Sequence, residues 1–137
     1  MRPGDSLELP SAGPTILLAE DDLTQRLLYT RILMASGYYV IAVDNGVDAV
    51  ASARRDEPDL IIMDVTMPEK DGWTVSRELK DDPASRGIPI LLMTGLTGEA
   101  TERRAALAGA DVFLPKPIAV RTLLDSVRTL LARGSGA

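Results

Sequence analysis

Five short apolar runs constrain this chain more than any other feature: residues 15–19 (TILLA), 38–43 (YYVIAV), 59–63 (DLIIM), 88–93 (IPILLM) and 111–114 (DVFL). They are continuously apolar rather than alternating, as strands covered on both faces must be, and so read as parallel strands. Their starts lie 21 to 29 residues apart, which leaves room for one helix between each pair. Asp22 followed by Gln25 has the form of a capping box, and Gly37 is placed to end a helix over residues 23–36. A second helix opens at Asn45-Gly46, carries Val47, Val50 and Ala51 on one face, and is halted by Pro58. Trp73, Val75 and Leu79 mark a third that ends before Pro83, with Trp73 read as partial core; residues 98–108 form an alanine-rich fourth. The fifth has the clearest period, with Val120, Leu123, Leu124, Val127, Leu130 and Leu131 at i, i+3, i+4, i+7 spacing. Strand and helix alternating five times is the pattern of right-handed βαβ units, a doubly wound α/β sheet with helices on both faces.

At 137 residues, a single domain buries roughly two-thirds of its unfolded surface. Residues 1–14 and 133–137, rich in Pro, Gly and Ser, read as flexible tails around an ordered unit at 15–132. No apolar run is long enough for a membrane span, and no signal-peptide core precedes the first strand, so the expected location is cytoplasmic. With 20 acidic against 15 basic side chains the net charge is -5, which disfavours direct contact with nucleic acid or anionic lipid. There is no cysteine and no histidine. Disulfides, thiolate nucleophiles, histidine triads and His- or Cys-ligated zinc are therefore excluded, and chemistry is left to carboxylates, hydroxyls, lysine and arginine.

In doubly wound sheets ligands bind at the carboxyl ends of the strands. The residues there are Glu20-Asp21-Asp22 after the first run, Asp64 after the third, Thr94-Gly95 after the fourth and Pro115-Lys116-Pro117 after the fifth. At roughly 5 Å and an effective dielectric near 20, each pair of carboxylates repels by about 3 kcal/mol, so the cluster calls for a cation. Oxygen-only ligation favours Mg²⁺, which takes few protein ligands and keeps waters for a phosphate-bearing partner. Glu20, Asp21 and Asp64 with Lys116 and one Mg²⁺ sum to about zero, so an incoming phosphoryl anion is tolerated. Without histidine or cysteine the nucleophile is a carboxylate, and Asp64, after the most apolar and central run, takes that role. Asp22 reads as a helix cap. Lys116 is one of three lysines against 12 arginines, a compact ammonium suited to a tight phosphate pocket.

Taken together, LLAEDD, IIMDVTMPEKDGW, LLMTG and FLPKP at these intervals resemble the receiver domain of two-component response regulators, over residues 15 to 132. The resemblance implies a flavodoxin-like (βα)5 fold with strand order 2-1-3-4-5. It implies that Asp64 accepts a phosphoryl group from a histidine kinase or histidine phosphotransfer protein. It further implies that Asp21 and Asp64 ligate Mg²⁺ with the Thr66 backbone carbonyl, and that Glu20 supports the metal through water. Thr94 moves to the phosphoryl oxygens, Lys116 pairs with them, and the Thr94–Phe113 switch changes the face of helix four, strand five and helix five for an unknown output protein, the chain remaining monomeric or dimerising on phosphorylation. Arg103-Arg104 falls on that face, and a cis Lys116-Pro117 bond is a family trait. Two positions depart from the commonest pattern: Phe113 stands where many receivers have tyrosine, and Leu96 is apolar beside the path of the hydrolytic water. The expectation is a switch and not a turnover enzyme, either stand-alone or as a module of a hybrid histidine kinase or larger regulator. A Mg²⁺-dependent aspartate phosphatase is the rival reading; such enzymes carry a second carboxylate two residues past the nucleophile, where this chain has Thr66.

Overall fold

The computed structural model describes residues 13–135. Five strands, β1 (Thr15–Ala19), β2 (Tyr39–Val43), β3 (Leu60–Asp64), β4 (Ile90–Thr94) and β5 (Val112–Pro115), alternate with α1 (Leu23–Ala35), α2 (Gly46–Asp56), α3 (Gly72–Asp81), α4 (Glu99–Leu107) and α5 (Val120–Ser135). The sheet is wholly parallel in the order β2-β1-β3-β4-β5, the flavodoxin-like architecture expected. Strand residues alternate between two cores. Leu17, Ile61, Met63, Ile90 and Leu92 face α2, α3 and α4 through Ala49, Ala53, Trp73, Val75 and Ala105. Ile16, Leu18, Leu60, Ile62, Leu91 and Met93 face α1 and α5 through Tyr29, Leu33, Leu123, Val127 and Leu130. β1, β3 and β4 are buried almost throughout, which is why their sequences are apolar at every position.

Several expectations from periodicity are corrected. β2 is an edge strand, and Tyr39 stays 47% exposed, so an unbroken apolar run did not require cover on both faces. The buried stripe of α2 is Gly46, Ala49, Val50 and Ala53; Val47 and Ala51 point outward, because small residues let this helix lie close to the sheet. In α5, Val120 is exposed at the first turn and the buried set begins at Leu123. The sequence places the end of the ordered unit at residue 132, within the last helix. α5 continues through Arg133 to Ser135, since helical backbone bonds propagate past the last packed side chain and a terminal glycine costs only about 1 kcal/mol. At the other end Pro14 already accepts a hydrogen bond from the Tyr39 amide, 2.9 Å; residues 1–12 of the expected N-terminal tail, and 136–137 of the C-terminal one, lie outside the described residues. No helix among the described residues is long and apolar enough to cross a membrane.

Helix starts follow side-chain chemistry. Asp22, Asn45 and Asp71 each accept from the amide three residues on, at 2.8 Å, capping α1, α2 and α3. Trp73 is 7% exposed, in the core as expected, and the Arg104 guanidinium lies 5.2 Å from its ring centroid, a cation–π contact joining α4 to α3.

Candidate functional site

Because β2 and β3 flank β1, the chain reverses direction across the sheet between β1 and β3, and the crevice beyond their carboxyl ends is the topological switch point. The register pairs Ala19 with Met63. The residues that follow, Glu20 and Asp64, therefore leave the sheet side by side. Asp64 pairs with Met93, and Thr94 with Pro115, so Thr94 and Lys116 emerge at the same edge; the Lys116 amide donates to the Thr94 carbonyl, 2.7 Å. The Lys116-Pro117 bond is cis.

One carboxylate oxygen each from Glu20, Asp21 and Asp64 lie within 4.8 Å of one another. Glu20 and Asp64 are 1% and 7% exposed, while Asp21 opens to solvent. The Lys116 ammonium sits among them, donating to Glu20 Oε1 (3.0 Å), to Gln25 Oε1 (2.6 Å) and to Asp64 Oδ2. Burial pushes the Glu20 carboxyl up, an effect that the hydrogen bonds from Lys116 and the Asp22 amide only partly offset and that the Asp64 charge reinforces. For Lys116, burial pulls the other way, but the hydrogen bonds to Asp64 and Glu20 outweigh it and the ammonium pKa is raised. The same three charges reach Tyr29, whose phenol is pushed up first by burial.

The backbone around Asp64 is tightly held. Asp64 Oδ1 accepts from the Thr66 amide, 3.0 Å, the Val65 amide donates to Met93 O, 2.9 Å, and the Gly72 amide to Val65 O, 2.7 Å. A Cβ on Gly72 would lie 2.5 Å from the Asp64 carbonyl, so only glycine permits this return of the chain. Across the loop, a Cβ on Gly46 would sit 1.8 Å from the Lys70 carbonyl. On the β1 side, Arg26 Nη1 donates to the carbonyls of Glu20 (2.9 Å) and Asp21 (3.3 Å), fixing the acidic turn.

Glu20, Asp21, Asp64 and Lys116 are thus brought together as the sequence required. Thr94 is buried at the same edge, its Oγ1 accepting from the Leu96 amide, 2.9 Å. Thr66 is exposed, with its amide on Asp64. Phe113 lies two residues back along β5 from the Thr94–Pro115 pair, opposite Leu92, half-buried against the core shared with α4. Two participants were missed: Gln25, read only as half of a capping box, and Arg26. Their position within the first turn after the acidic cluster was the available signal.

The sequence matches the family model for the response regulator receiver domain over residues 16–128. The chain belongs to the receiver domain family. It is 33% identical over 117 residues to the polar-differentiation response regulator DivK of Brucella anthropi, covering 85% of this chain and 95% of DivK. It is 40% identical over 115 residues to the response regulator PleD of Caulobacter vibrioides, covering 83% of this chain but only 25% of PleD. The receiver domain of the sensor histidine kinase PA1611 from Pseudomonas aeruginosa, solved with a magnesium ion coordinated in its active site cleft, superposes with a TM-score of 0.82 at 30% identity, covering 88% of this chain and 98% of that one. This receiver is accordingly a two-component signalling domain of the kind that works with histidine kinases or phosphotransfer proteins and with output domains.

Proposed function

We propose that this receiver takes a phosphoryl group onto Asp64 from a phosphohistidine and thereby changes its affinity for an output partner. The observation that carries the reading is the placement of the Asp64 carboxylate. It is nearly buried at the switch point, paired with Lys116, and within 4.8 Å of two further carboxylates that one ammonium cannot neutralise. Three negative charges against one positive leave about -2, which fits a hard divalent cation. Glu20, Asp21 and Asp64 would hold Mg²⁺, joined by the Thr66 carbonyl, and the ion supplies charge neutralisation for the phosphoryl oxygens. The magnesium ion in the cleft of the PA1611 receiver supports that choice.

In the transfer an Asp64 oxygen attacks phosphorus in line, the new P–O bond forms as the P–N bond breaks, and the donor imidazole departs. Such a loose transition state needs positioning and charge stabilisation more than acid–base catalysis, and so a site with no histidine suffices. These 137 residues contain no histidine, so the donor imidazole lies outside them. Lys116 pairs with the phosphoryl oxygens, the Thr94 hydroxyl exchanges its Leu96 amide for one of them, and Phe113 follows it inward. The α4–β5–α5 face, including Arg103, is then remodelled for its target.

Incubation with acetyl phosphate and Mg²⁺ should add one acid-stable, hydroxylamine-labile phosphoryl group by intact-mass analysis. No mass gain, or an equal gain in Asp64→Asn, would refute the assignment. A second context is favoured by PleD, four times the matched length, and by PA1611, a kinase that carries its receiver: the same switch serving as one module of a hybrid kinase or larger regulator. The phosphatase reading is weakened by exposed Thr66, which offers no acid two residues past Asp64.

A further inference from the structure

The Lys116 ammonium has three N–H donors, and all three are engaged, by Glu20, Asp64 and Gln25. The first two acceptors are anions of the acidic cluster, and metal or phosphoryl ligation competes for their lone pairs. Gln25 is neutral and stands outside that cluster. Its side chain is also diverted from the role its position predicts. In a capping box the residue three beyond the cap accepts from the cap's own amide, yet here the Asp22 amide donates to Glu20 Oε2, 3.1 Å, leaving Gln25 Oε1 for the lysine at 2.6 Å. The turn bearing Gln25 is held at both ends, by its own amide on Asp22 Oδ2 (2.8 Å) and by the Arg26 guanidinium on the Glu20 and Asp21 carbonyls. The acceptor is thus fixed before any ligand arrives.

We infer that Gln25 is a positioning residue for Lys116: its side-chain carbonyl is the one acceptor that keeps the ammonium over the crevice while Glu20 and Asp64 turn to other ligands. The catalytic half of this inference rests on Asp64 being the phosphoacceptor; the contact itself does not. Gln25 accordingly governs how fast the phosphoryl group is gained, and leaves metal affinity to the carboxylates.

The test uses Gln25→Met, which keeps length and helix propensity but removes the acceptor, with Gln25→Ala as a second variant and Gln25→Glu as the conservative one. Isotope-labelled lysine makes the first readout tractable, since the chain has only three lysines. Without donor or Mg²⁺, the Lys116 ammonium protons should exchange with water about tenfold faster in Gln25→Met and Gln25→Ala, and no faster than native in Gln25→Glu, whose carboxylate is the stronger acceptor. The second readout is phosphoryl uptake from acetyl phosphate. At saturating Mg²⁺ it should fall roughly tenfold in Gln25→Met, with half-saturating Mg²⁺ within about twofold of native. Unchanged ammonium exchange in both Met and Ala variants overturns the inference. So does an uptake loss that higher Mg²⁺ fully restores, which would make Gln25 part of the metal site. A native protein that takes up no phosphoryl group while the exchange result holds overturns the Asp64 reading and leaves the grip of Gln25 on Lys116 standing.

Discussion

Lys116 carries the electrostatic balance of the crevice. Its side chain is 16% exposed against 1% and 10% for those of Glu20 and Asp64, so the pairings are largely shielded from water and from salt. Removing the ammonium strands two carboxylates with no counter-charge. Lys116→Met should therefore destabilise the metal-free protein by about 3 kcal/mol, and Mg²⁺ should recover most of the loss; urea melts with and without the ion measure both. The pH dependence follows from the raised ammonium pKa. A group whose pKa is higher folded than unfolded gives its stabilisation in full below the unfolded value, near 10.5, and loses it as pH rises through the folded value. The stability gap between native protein and Lys116→Met should hold from neutral pH to about 10.5 and close above it. A gap that closes already near pH 8 would contradict the pairing seen here. At this scale Glu20, Asp21, Asp64 and Lys116 were legible, because a charged residue directly after an apolar run must sit at a strand end, where a doubly wound sheet binds its ligands. Gln25 was not. A glutamine three residues past an N-cap reads as accepting from the cap amide, but Glu20 takes that amide and Lys116, 91 positions along the chain, takes the glutamine.

Two turns set the geometry at the level of elements, and both lean on backbone that side chains would disturb. Gly72→Ala places a methyl 2.5 Å from the Asp64 carbonyl. It should lower stability by about 2 kcal/mol and slow phosphoryl uptake out of proportion to the loss of fold, since the displaced atoms belong to the Asp64 peptide. Elsewhere the sequence accepts avoidable strain. α2 is capped by Glu57 in the left-handed region, φ 47, directly before Pro58, where glycine is the usual residue after a helix. Glu57→Gly should raise stability by about 0.5–1 kcal/mol with uptake unchanged; an unaltered or lower denaturation midpoint would show that the Glu57 side chain contributes contacts that offset its backbone. Element order and type were readable from apolar runs and caps. The facing of α2 was not, because Val47 looks like core by hydropathy while Gly46, Ala49 and Ala53 let the helix approach the sheet.

For the whole molecule, the sheet divides two cores and brings β1 and β3 together at a single edge, so a ligand there ties the β1–α1 turn to the β3–α3 loop. Mg²⁺ at a hundredfold excess over its Kd should add about 2.7 kcal/mol, a Tm rise of about 10 °C for a domain of this size. Asp21→Ala should lose most of that shift, and a variant that keeps it would remove Asp21 from the ligand set. The ion is expected to act on the native state alone, because the unfolded chain holds residues 20 and 64 far apart.

Hydropathy and composition were enough to establish the alternation of strand and helix, the two-sided burial of β1, β3 and β4, and the chemical limits of a chain without histidine or cysteine. Those properties are local or compositional: each strand carries its own hydropathy, and missing residue types cannot be restored by folding. Packing between remote segments settled which acceptors Lys116 meets, that β2 is an edge and which face of α2 is buried. These depend on distances between parts of the chain far apart in sequence, and on how closely small side chains allow a helix to pack, neither of which is encoded in any one stretch of residues.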